Sequence, residues 1–282
     1  MSATRRGALI GVGAALTVAP AAAKAAPYRV VSLNACLDAI LVHVADRRQI
    51  AALSHYAREP VGSTISEVAR TLPFTWETAE EVIALRPDLV LTSRHSALAT
   101  RNALGRLNIP IALFAVPDSV ATSLEQVREV ARLVGRPARG EALIARIEAA
   151  LTAAAPPPGS RPLKALIYQP NGFAAGRGTL MDEMMSRAGF ENVADLYGLG
   201  KWGNVPVERL LADPPQVLLS GVPVQGSRTW ADRVMRHPAL ASLSGRMVQA
   251  QLDEKLLYCG GPVLIQTAAA LAQARRTALE AL

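Results

Sequence analysis

Two stretches of the chain share one design, and that repetition limits the available folds more than any other feature. "WETAEEVIALRPDLVLTS" (76–93) and "WGNVPVERLLADPPQVLLSG" (202–221) each place a tryptophan before a glutamate that opens a short helix. In each, a proline stops the helix seven residues after that glutamate, Pro87 after Glu80 and Pro215 after Glu208, and an apolar run of strand length follows. A helical segment, a proline stop and a buried strand written twice predict a duplicated α/β unit. Chance similarity in a leucine-rich α/β chain is the competing explanation.

The rest of the chain alternates in the same way. Strand-like runs "YRVVSL", "IAALS", "DLVLTS" and "PIALFAV" are separated by helical periodicity from Ala35, Thr78, Ala97 and Ser119. In the first helix Leu37, Ile40, Leu41 and Val44 form one apolar stripe, and Asn34 is placed to cap it. The alternation breaks at "GRPARGEALIARIEAALTAAAPPPGS". There Pro137 opens a helix, Leu143, Ile144, Ile147 and Leu151 share a face, and Pro156 to Pro158 end it. At 1.5 Å per residue this connector reaches roughly 27 Å, enough to run beside two lobes and join them. After it the pattern resumes with "LKALIYQ", helices from Thr179 and Val207, "QVLLSG", a helix over Trp230 to His237, "RMVQA", and an alanine-rich helix from Pro262. The expected divisions are residues 26–135, a connector over 136–160, and 161–282.

The N-terminus sets the compartment. A twin arginine, Arg5 and Arg6, precedes an apolar stretch from Ala8 to Ala19 and a small-residue end at Ala23-Lys24-Ala25. This reads as an export signal of twin-arginine (Tat) type over residues 1–25, cleaved near Ala25, which places the mature protein in the periplasm. The formal charge of +7 includes Arg5, Arg6 and Lys24, which leave with that segment. The remaining arginines are scattered among acids and form no basic run, which argues against a nucleic-acid partner.

In open α/β sheets ligands sit beyond the carboxyl ends of the strands. That rule selects Asn34, Ala35 and Cys36 after the first strand, Ser54 to Tyr56 after the second, Ser93, Arg94 and His95 after "DLVLT", and Gln169 to Phe173 after "LKALIYQ". Trp76 and Trp202 precede the two copies of the glutamate motif, and Trp76 reads equally well as a core residue. Aromatic faces bury a large apolar area at low torsional cost, and Arg94 or Arg177 suits ligand carboxylates.

The order and spacing of "RVVSLNACLDAILVHVADRRQIAALS", "EEVIALRPDLVL", the connector, "GFAAGRGTLMDEMMSRAGFENVAD" and "VERLLADPPQVLLSG" resemble the periplasmic substrate-binding proteins of ABC importers for iron chelates and vitamin B12. The resemblance covers nearly all of the expected mature chain. It implies two Rossmann-like lobes, a single long linking helix, and a metal chelate, a ferric siderophore or a cobalamin-like corrinoid, held between them. It implies no intrinsic cofactor and no enzyme activity. Tyr56 and Trp202 resemble cleft aromatics of the B12-binding member. Glu80 and Glu208 match a pair of exposed glutamates, one per lobe, that dock a monomeric binding protein onto arginines of the transmembrane permease. A bare transition metal or haem is the alternative cargo on the same fold.

Relatives carry Ser or Thr near the turn where this chain has Cys36. A thiol at a helix N-terminus is acidified and reactive, which raises an exported thiol enzyme as a further alternative, although no histidine is fixed beside it as a base. The second cysteine, Cys259, lies in "LYCGGP" in the other half. A disulfide between them has to span both halves, and thiols that jointly bind metal are another arrangement. Two small residues lining the pocket is the expectation that leads.

Overall fold

The computed structural model describes residues 29–96, 98–169, 172–221, 243 and 245–282. The first half builds a five-stranded parallel sheet from β1 (Val30–Ser32), β2 (Ile50–Ser54), β3 (Phe74–Thr75), β4 (Leu89–Ser93) and β5 (Ile111–Phe114), in the order β3-β2-β1-β4-β5. Its crossovers carry α1 (Ala35–Val44), α2 (Ser66–Ala69), α3 (Ala79–Ala84) and α4 (Leu98–Arg106), and α5 (Val120–Leu133) follows the last strand. Asn34 caps α1, its Oδ1 accepting from Cys36 N at 3.0 Å and Leu37 N at 3.2 Å. Ser119 and Thr122 close a reciprocal capping box on α5.

The linking helix α6 (Pro137–Ala154) follows, with proline at its first position and Gly140, Leu143, Ile144, Ile147 and Leu151 buried. Gly140 is required there, because a Cβ would stand 2.5 Å from Ala131 Cβ on α5. The second half contains β6 (Leu163–Ile167), β7 (Phe173–Ala175), α7 (Leu180–Arg187), β8 (Phe190–Asn192), β9 (Trp202–Asn204), α8 (Val207–Ala212), β10 (Val217–Ser220), β11 (Val248–Gln251) and α9 (Val263–Ala281). Its parallel sheet runs β11-β10-β6-β8, and β7 pairs with β9 as a separate antiparallel ribbon.

The two sheets share no strand among the described residues, and their inner strands correspond. The α3–β4 pair and the α8–β10 pair keep identical spacing: Glu80 and Glu208 are the second residues of their helices, and each strand starts two residues after Pro87 or Pro215. Each of these strands lies beside its half's first strand, β4 against β1 and β10 against β6. The duplication seen in the sequence is therefore structural.

Side chains alternate between two cores, as a parallel sheet buried on both faces requires. Val30, Leu89 and Leu91 in one sheet, and Ala165, Ile167, Val217 and Leu219 in the other, enter one cluster completed by α1, α5, α6 and α9. Val31 and Val90 face a separate cluster under α3 and α4, and Leu166 and Leu218 face another under α8. The helices between the sheets thus bury both against a common interior. No helix among the described residues is long and apolar enough to cross a membrane. The helix expected over Trp230 to His237 and the export signal lie outside the described residues.

Candidate ligand-binding cleft

The candidate site residues lie just after strands of the first sheet and on the β7–β9 ribbon of the second half. On the first lobe, Asp38 in the first turns of α1 is fully buried and accepts hydrogen bonds from Ser54 N, at 3.3 and 3.2 Å to its two oxygens, and from Ser54 Oγ. Burial pushes its carboxyl up to about 8 against the opposing pull of the Ser32 and Ser54 hydrogen bonds. Asp38 thereby pins the end of β2 to α1, and the next residues are His55 and Tyr56.

The His55 ring lies 3.8 Å from the Tyr56 ring and 4.7 Å from that of Trp76. Tyr56 is 53% exposed and Trp76 61% exposed, so Trp76 is not a core residue. The Trp76 turn is built from behind: Glu81 Oε2 accepts from Trp76 N and Thr75 Oγ1, both at 2.7 Å. Glu77 occupies the left-handed region at φ 70°. Thr75 Oγ1 accepts from its N–H at 3.0 Å, and Thr100 Oγ1 donates to its carbonyl at 3.1 Å. Its carboxylate stands 3.9 Å from His55 Nδ1, a long ion-pair distance beyond hydrogen-bond reach, and neither atom has a hydrogen-bond partner among the described residues. Burial pushes Glu77 up to about 7. Arg94 and His95 sit on the exposed turn after β4, with Arg94 N donating to Phe114 O at 3.1 Å.

On the second lobe the β7–β9 ribbon stacks Phe173 on Trp202, with centroids 5.6 Å apart and ring planes 6° from parallel. Gly176 lets the ribbon close, since a Cβ there would lie 1.6 Å from Gly200 O. Arg177 is exposed and paired to Asp195 at 3.2 Å. Of the Gln169 to Phe173 run, Pro170 and Asn171 lie outside the described residues.

Several contacts among the described residues cross between the lobes. Lys201 Nζ lies 3.7 Å from Asp118 Oδ2, Val120 N donates to Glu183 Oε2 at 2.7 Å, and Cys36 is joined to Cys259 with Cα atoms 5.0 Å apart. The disulfide corrects the expectation of two free small residues lining a pocket, and it takes the thiolate from any reading of Cys36 as a nucleophile. Its physical cause is the close approach of residues 258–261 to α1 and α5. Gly261 N donates to Ser123 Oγ at 2.7 Å. A Cβ on Gly260 would meet Ser123 Oγ at 2.3 Å, and one on Gly261, at φ 60°, would meet Ile40 Cγ1 at 2.8 Å. The double glycine of "LYCGGP" was the available signal.

Glu80 and Glu208 are both exposed. Among the described residues, no three His, Cys, Asp or Glu side chains converge as a metal site. Asp38, Glu77 and Tyr258 were not singled out by the strand-end rule. Tyr258 lies in the segment after β11, where the last strand of the second sheet ends.

A family model described as periplasmic binding protein matches residues 30–245. The periplasmic heme-binding protein RhuT from Roseiflexus sp. RS-1, in apo form, is 27% identical, covering 87% of this chain and 98% of that one with a TM-score of 0.71. A periplasmic heme binding protein from Pseudomonas aeruginosa is 22% identical over 88% of this chain and 92% of that one, TM-score 0.70. The periplasmic vitamin B12 binding protein BtuF of Vibrio cholerae is 15% identical over 90% and 98%, TM-score 0.64. No curated protein matches the sequence. The chain belongs to the periplasmic binding protein family, the substrate-binding proteins of ABC importers for siderophores and vitamin B12.

Proposed function

We propose that the mature protein is a periplasmic carrier that holds a tetrapyrrole-type metal chelate, haem or a corrinoid, between its lobes and delivers it to an ABC importer permease. The observation that carries this reading is the pair of aromatic clusters, Tyr56 with Trp76 just after β2 and β3 on one lobe and Phe173 stacked on Trp202 in the β7–β9 ribbon on the other. Such walls suit a broad, largely apolar ligand better than a small ion. The relatives described as heme- and vitamin B12-binding support the same ligand class. In this reading Arg94, His95 and Arg177 engage peripheral carboxylates or amides of the ligand, and Asn34 shapes the turn after β1 through its cap. Export through residues 1–25, a monomeric state, lobes over 26–135 and 161–282, and docking of the permease through Glu80 and Glu208 complete the proposal.

The test is a titration of the mature protein with haemin, cyanocobalamin and a ferric siderophore, read by tryptophan fluorescence and visible absorption. Saturable quenching with one of the two tetrapyrroles is expected. Saturation by the siderophore alone, or by none of the three, overturns the reading.

A further inference from the structure

The segment after β11 enters the site from a direction the strand-end rule did not sample. Tyr258 precedes the bridged Cys259, and its carbonyl oxygen lies 3.5 Å from Cys36 Sγ at the end of β1. Its hydroxyl is 2.9 Å from Gln169 Oε1, just beyond the end of β6, and also contacts Glu254. β1 and β6 are the corresponding inner strands of the two sheets, so Tyr258 is anchored by its backbone beside the turn that follows β1 and by its side chain at the carboxyl end of β6. It is nonetheless 49% exposed.

We infer that Tyr258 is a ligand-contacting residue on the floor of the cleft, offering its ring rather than its oxygen to the bound chelate. The single phenolic proton is donated to Gln169 or Glu254, two acceptors that hold the hydroxyl end in place. Burial and the neighbouring Glu254 carboxylate keep the phenol protonated. What remains available is an apolar ring face, a third surface beside the two aromatic walls, suited to a planar macrocycle. The backbone beside it is held in place, because the disulfide at Cys259 and the Gly261–Ser123 hydrogen bond fix the residues that follow it.

This inference rests on the proposed tetrapyrrole function, and the experiment separates the two. Hydroxyl-radical footprinting of the wild-type mature protein, with and without saturating haemin or cyanocobalamin, reads Tyr56, Trp202 and Tyr258 together. Protection of all three supports the inference, with Tyr258 modification falling about as far as that of Trp202. Protection of Tyr56 and Trp202 with Tyr258 unchanged overturns it and leaves the functional reading intact. Absence of saturation and of protection at every site overturns both. Affinity adds a second arm: Tyr258→Ala is expected to weaken binding on the order of 10-fold, while Tyr258→Phe, which keeps the ring, stays within about 3-fold. A Tyr258→Phe loss as large as that of Tyr258→Ala would assign the role to the hydroxyl and refute the ring contact.

Discussion

Replacing Cys36 and Cys259 together by alanine removes a cross-link that closes a loop with a sequence separation of 223 residues, most of the chain. In the chain-entropy description such a loop restricts the unfolded ensemble by about 5 kcal/mol at 25 °C, the upper end of what native disulfides contribute. That is comparable with the entire stability of many domains, about 5–15 kcal/mol. Cys259 is buried, so the alanine variant also loses some packing; reducing the wild-type bond with a dithiol removes the link alone. Urea unfolding followed by far-UV circular dichroism should show the reduced wild type and the double variant unfolding at similar midpoints, both lower than the oxidised protein by on the order of 1.5 M for a slope near 3 kcal/mol/M. The oxidised protein should also give the shallower slope, since its unfolded state exposes less surface. A loss below about 1 kcal/mol on reduction would refute the argument, because it would mean that the unfolded chain already holds these two segments together.

Two further outcomes follow from the site. Asp38 is held near 8 in the folded protein against an ordinary value of 3.8, so the native state keeps a proton that the unfolded chain releases across this window. Stability should therefore fall as pH rises from about 4 to about 8, by up to about 1.4 kcal/mol per pH unit, with Glu77 adding in the same sense up to about 7. Asp38→Asn should flatten that slope in urea midpoints taken at pH 5 and pH 8, and an equal slope in the variant would remove Asp38 as its source. Reversing both Glu80 and Glu208 to lysine should leave ligand affinity within about 2-fold and abolish permease-dependent uptake, the pattern of an orienting charge pair at a protein interface; uptake at the wild-type rate would dismiss the docking role.

Most of the framework was legible because its signals are periodic and long. The stripe in α1, the proline-bounded α6 and the glutamate–proline–strand repeat each carry enough residues for burial to impose a pattern. The pieces that were missed are short: β3 has two residues and β7, β8 and β9 have three each, too few for alternation to be visible. Yet β3 and the β7–β9 ribbon carry Trp76, Phe173 and Trp202 into the site. The disulfide is not legible from its two cysteines alone, because sequence separation says nothing about the fold of the intervening chain. The local cue, two glycines after Cys259, becomes decisive only when Ile40 and Ser123 are seen to occupy the space where side chains would be. Asp38 and Glu77 follow the same logic, since a carboxyl group in an apolar helix or beside a tryptophan acquires its shifted acidity only from the walls that close over it.

The linking helix is held differently along its length. At its start Arg136 and Arg139 both pair with Asp46 beyond the end of α1, Arg139 also donates to Val44 O at 3.3 Å and Ala45 O at 3.0 Å, and Gln49 Nε2 reaches Val134 O at 3.1 Å. Farther along, its contacts with α9 are with apolar side chains such as Leu264, Leu271 and Ala278. Directional ion pairs resist displacement, whereas oily surfaces permit small sliding. The rod is thus welded by charge to one lobe and greased by hydrocarbon against the other, and the covalent stitch between Cys36 and Cys259 limits how far the two lobes can part.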